Sequence, residues 1–325
     1  MLLVHCVGEI AAELGESPVW VAETQTLLWV DIAGRTVFET AINSGHTRSY
    51  PVGELVGCVV PTASGGAIVG MESGLYSLDR HSGSMKPVGA SVGEPTGRRF
   101  NDGKCDPTGR LWIGRFAINA RSDGGSLYRF DSNSILSVAA SGFTVPNGLG
   151  WSPDGTTFYF TDTGARTIHA YEFLAGAGLL GQHRVFARFG DGGAPDGLAV
   201  DAEGGVWTAL WDGWRVERYA PDGRLDRVIP VPVPRPTSCA FGGVDLRTLF
   251  VTTARVRLSR SQLALAPLSG RLLAIDVEVP GQPVARYAGD EHEGSLLANP
   301  LLSKLDRKPL PELTSAIGRS RRRRG

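Results

Sequence analysis

The chain has 325 residues, with 33 Lys plus Arg against 33 Asp plus Glu, 43 Gly and 20 Pro. Balanced charge supplies no field that would gather nucleic acid or an acidic membrane surface, and no apolar run reaches the roughly 18 residues of a membrane-spanning helix. The length buries a core without disulfides or structural metals, and abundant Gly and Pro suit short strands joined by turns.

The opening MLLVHCVGEI has a short apolar run with no basic stretch before it, so it is not expected to be a secretion signal, and a cytoplasmic protein is expected. The strand near Leu2–Val7 is expected to join the last repeat and lock the fold. Runs rich in β-branched and aromatic residues then recur: TLLWVDI from Thr26, GAIVGM from Gly66, RLWIGRF from Arg110, TFYFTDT from Thr157, GVWTAL from Gly205 and TLFVTTA from Thr248. Their spacings are 40, 44, 47, 48 and 43 residues. A second run follows most of them, and the turn signals DPTG at Asp106, SPDG at Ser152 and DAEG at Asp201 stand just before several. Six units of about 45 residues, each with room for four strands, predict an all-β fold, a six-bladed β-propeller with four-stranded blades over residues 1–289. The near-constant period separates this from a β-sandwich. Gln262–Pro267 predicts one helical turn in an insertion of the sixth unit. Residues 290–325 break the pattern and end in an Arg-rich run, so they are expected to be a disordered polar tail outside the fold.

Cys6, Cys58, Cys105 and Cys239 show no CxxC spacing and are expected to be buried free thiols. The six histidines share no common phase, and neither HExxH nor GxSxG occurs. Trp207, Trp211 and Trp214 are expected in core and channel packing.

Counting back about ten residues from each first run reaches Glu16, Gly57, Asn101, Asn147, Asp196 and Ser238, within a residue each. Equivalent positions of successive blades form a ring around a propeller's axis, so these side chains should converge at one channel mouth. Asn and Asp before a strand often serve only their own turn. Glu is no turn former, and the same phase recurs in the contexts GESP, FNDG, PNGL and PDGL. The ring offers two carboxylates and two amides; two carboxylates brought together would repel and force a proton onto one of them unless a cation joined them, and all-oxygen donors favour hard divalent ions.

At these residues the sequence resembles the regucalcin-like sugar lactonases, the gluconolactonase and luciferin-regenerating enzyme family. The resemblance rests on LGESPVW, RFNDGKCDPTGRLWIG, PNGLGWSPDG, YFTDT, PDGLAVDAEGGVWTALW, TSCAFGG and TLFVTTAR, and covers residues 13–289. Bacterial aldonolactone and pentonolactone hydrolases look closest, from the ALW and TTAR segments. The resemblance implies one divalent ion (Ca, Zn, Mn, Mg or Fe(II)) held by Glu16, Asn147 and Asp196, with Arg99 and Asn101 binding substrate. Where many members carry a substrate-holding Glu after the third-blade strand, Asn119 stands here, which bears on the choice of substrate.

The expected activity is hydrolysis of a sugar lactone, such as a glucono-, xylono- or arabinonolactone, to the sugar acid. Asp196 is the candidate general base. The alternatives are a calcium-dependent arylesterase or phosphotriesterase on a related propeller, and a non-enzymatic calcium-binding scaffold. The expected partner is a small sugar lactone, with no nucleic acid and no membrane, the protein being a monomer or weak dimer.

Overall fold

A computed structural model describes residues 3–89, 97–118 and 124–289. Asn119 and residues 290–325 lie outside the described residues. The described chain forms six four-stranded antiparallel sheets, a six-bladed β-propeller. The innermost strands of blades one to six are Gly15–Val21, Val56–Pro61, Arg98–Cys105, Pro146–Trp151, Ala194–Val200 and Pro236–Gly242. The strand Val4–Val7 pairs with Leu272–Asp276 and so forms the outer edge of blade six, locking the start of the chain onto its end. This ring closure leaves only short outer edges.

Burial follows position in the blade. Every residue of Gly15–Val21, Val56–Pro61 and Pro146–Trp151 is buried, whereas the outer strand Leu179–Arg188 is mostly exposed. The core lies between neighbouring blades. Between blades three and four, Trp112 meets Trp151 edge-on at 6.4 Å, and Phe158 and Phe173 pack on the same indole. Cys58, Cys105 and Cys239 are buried free thiols, while Cys6 is half-buried. Trp207 is buried, but Trp214 is 46 % exposed, which corrects its expected place in the packing. It sits in the tight Asp212–Trp214 turn with φ +57°, and that backbone directs the ring outward.

Two of the turn motifs hold more than a turn. The Asp201 carboxylate accepts hydrogen bonds from Glu203 N and Gly205 N, from Trp207 Nε1 at 2.8 Å and from Arg218 Nε at 2.7 Å. Asp106 repeats the pattern with Thr108 N, Arg110 and Trp112 Nε1. Asp201 is fully buried, so Asp201→Ala strips its partners in the interior. It should cost about 3 kcal/mol, read as a fall in the denaturant midpoint. Activity below the melting temperature should persist, since Asp201 lies at the far end of the strand from Asp196.

After the last strand, residues 277–288 strap the face of the propeller on the Asp201 side, away from Asp196. Ala202 N donates to Pro280 O, and Gly281 N to Leu246 O. Gln282 Nε2 donates to Trp151 O at 3.0 Å and Val200 O at 3.2 Å. Tyr287 N donates to Pro61 O, its hydroxyl to Asp131 O at 2.8 Å, and its ring stacks on Phe130 at 5.2 Å.

Candidate active site

The side chains of interest stand at the start of the innermost strands, where the pairing with the second strand slips in every blade. A bulge adds a residue to one strand and re-aims its side chains. Asn101, Asn147 and Asp196 fall inside the slipped segments, and Glu16 borders one. Ser17, a non-glycine at φ +48°, follows Glu16 and donates its N–H to Glu16 Oε2 at 3.1 Å. The Gly of each Asn-Gly or Asp-Gly pair has its own cause. A Cβ on Gly148 would come within 2.6 Å of Leu198 N and 2.7 Å of Asp196 O, so only glycine lets neighbouring inner strands approach this closely.

Four of the six ring positions, Glu16, Asn101, Asn147 and Asp196, present polar side chains that could bind a ligand. In blade two the position is Gly57. In blade six Thr237, not Ser238, follows a proline as Asp196 does. Thr237 is fully buried and its hydroxyl is engaged with Gly15 O at 2.5 Å and Thr252 Oγ1 at 2.9 Å. Ser238 lies lower, in the wall of a channel cavity of about 280 Å³.

The remaining side chains converge. Asn147 Nδ2 donates to Asp196 Oδ1 and to Thr163 Oγ1, which leaves the amide carbonyl oxygen as the group available to a cation. Asn101 Nδ2 donates to Pro146 O at 2.8 Å, and Asn101 Oδ1 accepts from Arg99 Nη1 at 2.6 Å. Arg99 also lies over the Phe116 ring at 4.8 Å. Asn101 therefore orients Arg99 as well as facing the site.

Two residues that sequence reasoning left out hold this geometry. Asp31 accepts from Glu13 N at 2.8 Å and Leu14 N at 3.0 Å, fixing the backbone that leads into Glu16. Asp162 does the same for Asn147 through Thr144 N and Val145 N, both at 3.0 Å. The Asp recurs in TLLWVDI and TFYFTDT, but its partners lie 17 or 18 residues earlier, and nothing in the repeat names them.

Glu16 and Asp196 are both buried. Burial, then the negative charges of Asp196 and Asp102, push the Glu16 carboxyl well above its usual range. Burial and Asp102 do the same to Asp196, while Arg99 and the Asn147 hydrogen bond oppose it. Burial lowers the Arg99 guanidinium to about 10, with Glu16 and Asp196 pulling it back up. The site thus holds more buried negative charge than its cation balances.

The family described as SMP-30/Gluconolactonase/LRE-like region matches residues 14–255. The chain belongs to this family. A relative named 6-deoxy-6-sulfogluconolactonase, from Pseudomonas putida, is 39% identical over 292 residues, covering 88% of this chain and 99% of that one. Regucalcin of Danio rerio is 34% identical over 291 residues, covering 88% and 98%. The crystal structure of a calcium-binding protein, regucalcin from Agrobacterium tumefaciens, superposes with a TM-score of 0.84 at 29% identity, covering 88% of this chain and 97% of that one.

The site chemistry fits the divalent ion that the SMP-30/gluconolactonase family suggests. Among the described residues no three His, Cys, Asp or Glu side chains cluster to hold a metal. The donors available are instead two carboxylates with excess charge and one amide oxygen, a hard and incomplete set of the kind that leaves positions open.

This excess has a consequence for stability. Unfolded carboxylates ionise near pH 4, while folded Glu16 and Asp196 keep protons to higher pH. Above about pH 4 the unfolded chain binds fewer protons at these groups, so their contribution should make the metal-free protein less stable as pH rises through the raised values. A divalent ion should offset that loss, its whole stabilisation being about 2.7 kcal/mol at about 100 times its Kd. Melting curves between pH 5 and 8, with and without calcium, check both effects. A metal-free protein whose calcium response does not grow with pH would contradict this.

Proposed function

We propose that the chain hydrolyses a sugar lactone, with one divalent cation held by Glu16, Asn147 and Asp196. The observation that carries this reading is the meeting of two buried, under-compensated carboxylates with a free amide oxygen and an oriented arginine at one end of the channel. When bound, such an ion supplies Lewis-acid polarisation of the lactone carbonyl.

The chain's own residues do the rest. Asn101 and the Phe116 ring hold the Arg99 guanidinium, whose remaining N–H donors bind sugar hydroxyls and place the ring for attack. Asp196 takes the proton from the attacking water. As the ring C–O bond opens, that proton goes to the departing ring oxygen, leaving a hydroxy acid. Glu16 contributes charge balance. Asn119 would shape the far side of the pocket, and residues 1–289 would form the whole catalytic domain.

The alternative arylesterase or phosphotriesterase chemistry calls for an apolar pocket, and Arg99 beside Asn101 favours a polyol instead. The proton release of hydrolysis, followed with a pH indicator on pentono- and hexonolactones, aryl esters and a phosphotriester, separates the two. Lactone kcat/KM should exceed the others by at least about tenfold, the size of one lost substrate hydrogen bond to a charged partner. Equal or greater turnover of the aryl ester would overturn the lactone assignment.

A further inference from the structure

Below the acidic ring, blade three sends another charged side chain into the channel. Lys104 lies three residues after Asn101, and its Nζ donates to Leu198 O at 2.8 Å. Leu198 belongs to the innermost strand of blade five, two residues after Asp196. The ammonium therefore passes blade four and ties together two strands that are not neighbours. Blade four carries glycine at positions 148 and 150 beside this path, where a Cβ would come within 2.6 Å of Leu198 N and 2.8 Å of Leu198 Cδ1.

Asp102 is its counter-charge. Burial raises the Asp102 carboxyl and Lys104 opposes this, while burial lowers the Lys104 ammonium and Asp102 opposes that. Both groups line the cavity of about 280 Å³ beneath the ring, together with Ser17 and Ser238. Neither has a role in the chemistry described above.

We propose that Lys104 is a positioning residue, a built-in cation that braces the strand bearing Asp196 against the strand bearing Arg99 and Asn101. The Leu198 carbonyl sits two residues from Asp196, so the brace sets how far that carboxylate stands from the substrate side of the ring. The ammonium also offsets part of the charge of Asp102, which adds to the repulsion felt by Glu16 and Asp196. Small misplacements of a reacting group cost rate far more than binding.

The turnover part of this inference rests on the lactonase reading. Lys104→Met fills nearly the same volume without the charge. Its kcat should fall by about 30-fold with lactone KM within about twofold, because Arg99 is untouched. Lys104→Ala opens space continuous with the cavity, and added propylammonium should restore at least half of the lost kcat while propanol does not. A folded Lys104→Met enzyme with wild-type kcat, or rescue by propanol as good as by the ammonium, would overturn the brace. If Lys104→Ala does not fold, the kcat and KM of Lys104→Met decide. Calcium affinity of the full chain, by calorimetry, tests the brace without turnover. Lys104→Met removes a positive charge, which by itself would favour cation binding, so an affinity loss of about fivefold or more supports the brace and an unchanged or tighter affinity overturns it. Wild-type protein that hydrolyses no lactone would sink the lactonase reading alone, and the calcium comparison would still stand.

Discussion

Asp196→Asn should leave a folded protein that hydrolyses sugar lactones about 10³-fold more slowly, within the range that general-base assistance commonly supplies. The asparagine side chain has the same shape and can still accept from Asn147 Nδ2 through its oxygen, so the ring geometry should survive. What disappears is the proton acceptor and one of two carboxylates available to a cation. Stability should move the other way. The Asp196 carboxyl is pushed well above its usual range because burial and Asp102 disfavour its charge. Without metal, the neutral variant should therefore melt at or above the wild-type temperature at pH 7. Asp196→Ala should be slower still and lose stability, since Asn147 then has an unpaired donor in a gap. Lactone kcat within tenfold of wild type for Asp196→Asn would remove Asp196 from the chemistry.

Ending the chain after Val279 should abolish cooperative folding at 37 °C, whereas ending it after Gly289 should leave folding and turnover near wild type. The difference is the strap. Its loss removes the fully buried Tyr287, whose ring stacks on Phe130 and whose hydroxyl reaches Asp131 O. Deleting a buried aromatic side chain alone typically costs about 3–5 kcal/mol. Backbone bonds to Pro61, Ala63, Gly109, Leu246 and Ala202 go with it, each worth about 1 kcal/mol. The sum is a large share of the roughly 5–15 kcal/mol that holds a domain folded. Denaturant unfolding followed by tryptophan fluorescence distinguishes the two truncations. Cooperative unfolding of the Val279 truncation at the wild-type midpoint would show the strap to be ornamental.

The repeat made the architecture legible, because each blade places its alternating apolar runs at the same phase and only ring closure buries them all. The same phase placed Glu16, Asn101, Asn147 and Asp196 at equivalent points of their blades. It could not distinguish Thr237 from Ser238 in blade six, where the slip in strand pairing differs and a buried threonine hydroxyl is taken up by Gly15 O. The helix came within two residues of its expected place, at Arg260–Leu265, where Ser259 and Gln262 form a capping box. Asp31, Asp162 and Lys104 went unrecognised for a common reason. Each acts across a distance that spacing along the chain does not encode, from second strand to loop or from blade three to blade five. The strap was equally hidden, since a segment that pairs with loops of several blades has no periodicity of its own.

The most direct measurement is hydrolysis of an aldonolactone, followed by proton release, by enzyme stripped with a chelator, by the same enzyme with a divalent ion restored, and by Asp196→Asn with the same ion. The expected result is loss of at least about 99% of turnover on stripping, recovery on restoring the ion, and no recovery in the variant, as expected where an ion and a carboxylate base act together. Full turnover by the thoroughly stripped wild-type enzyme would contradict the proposed site.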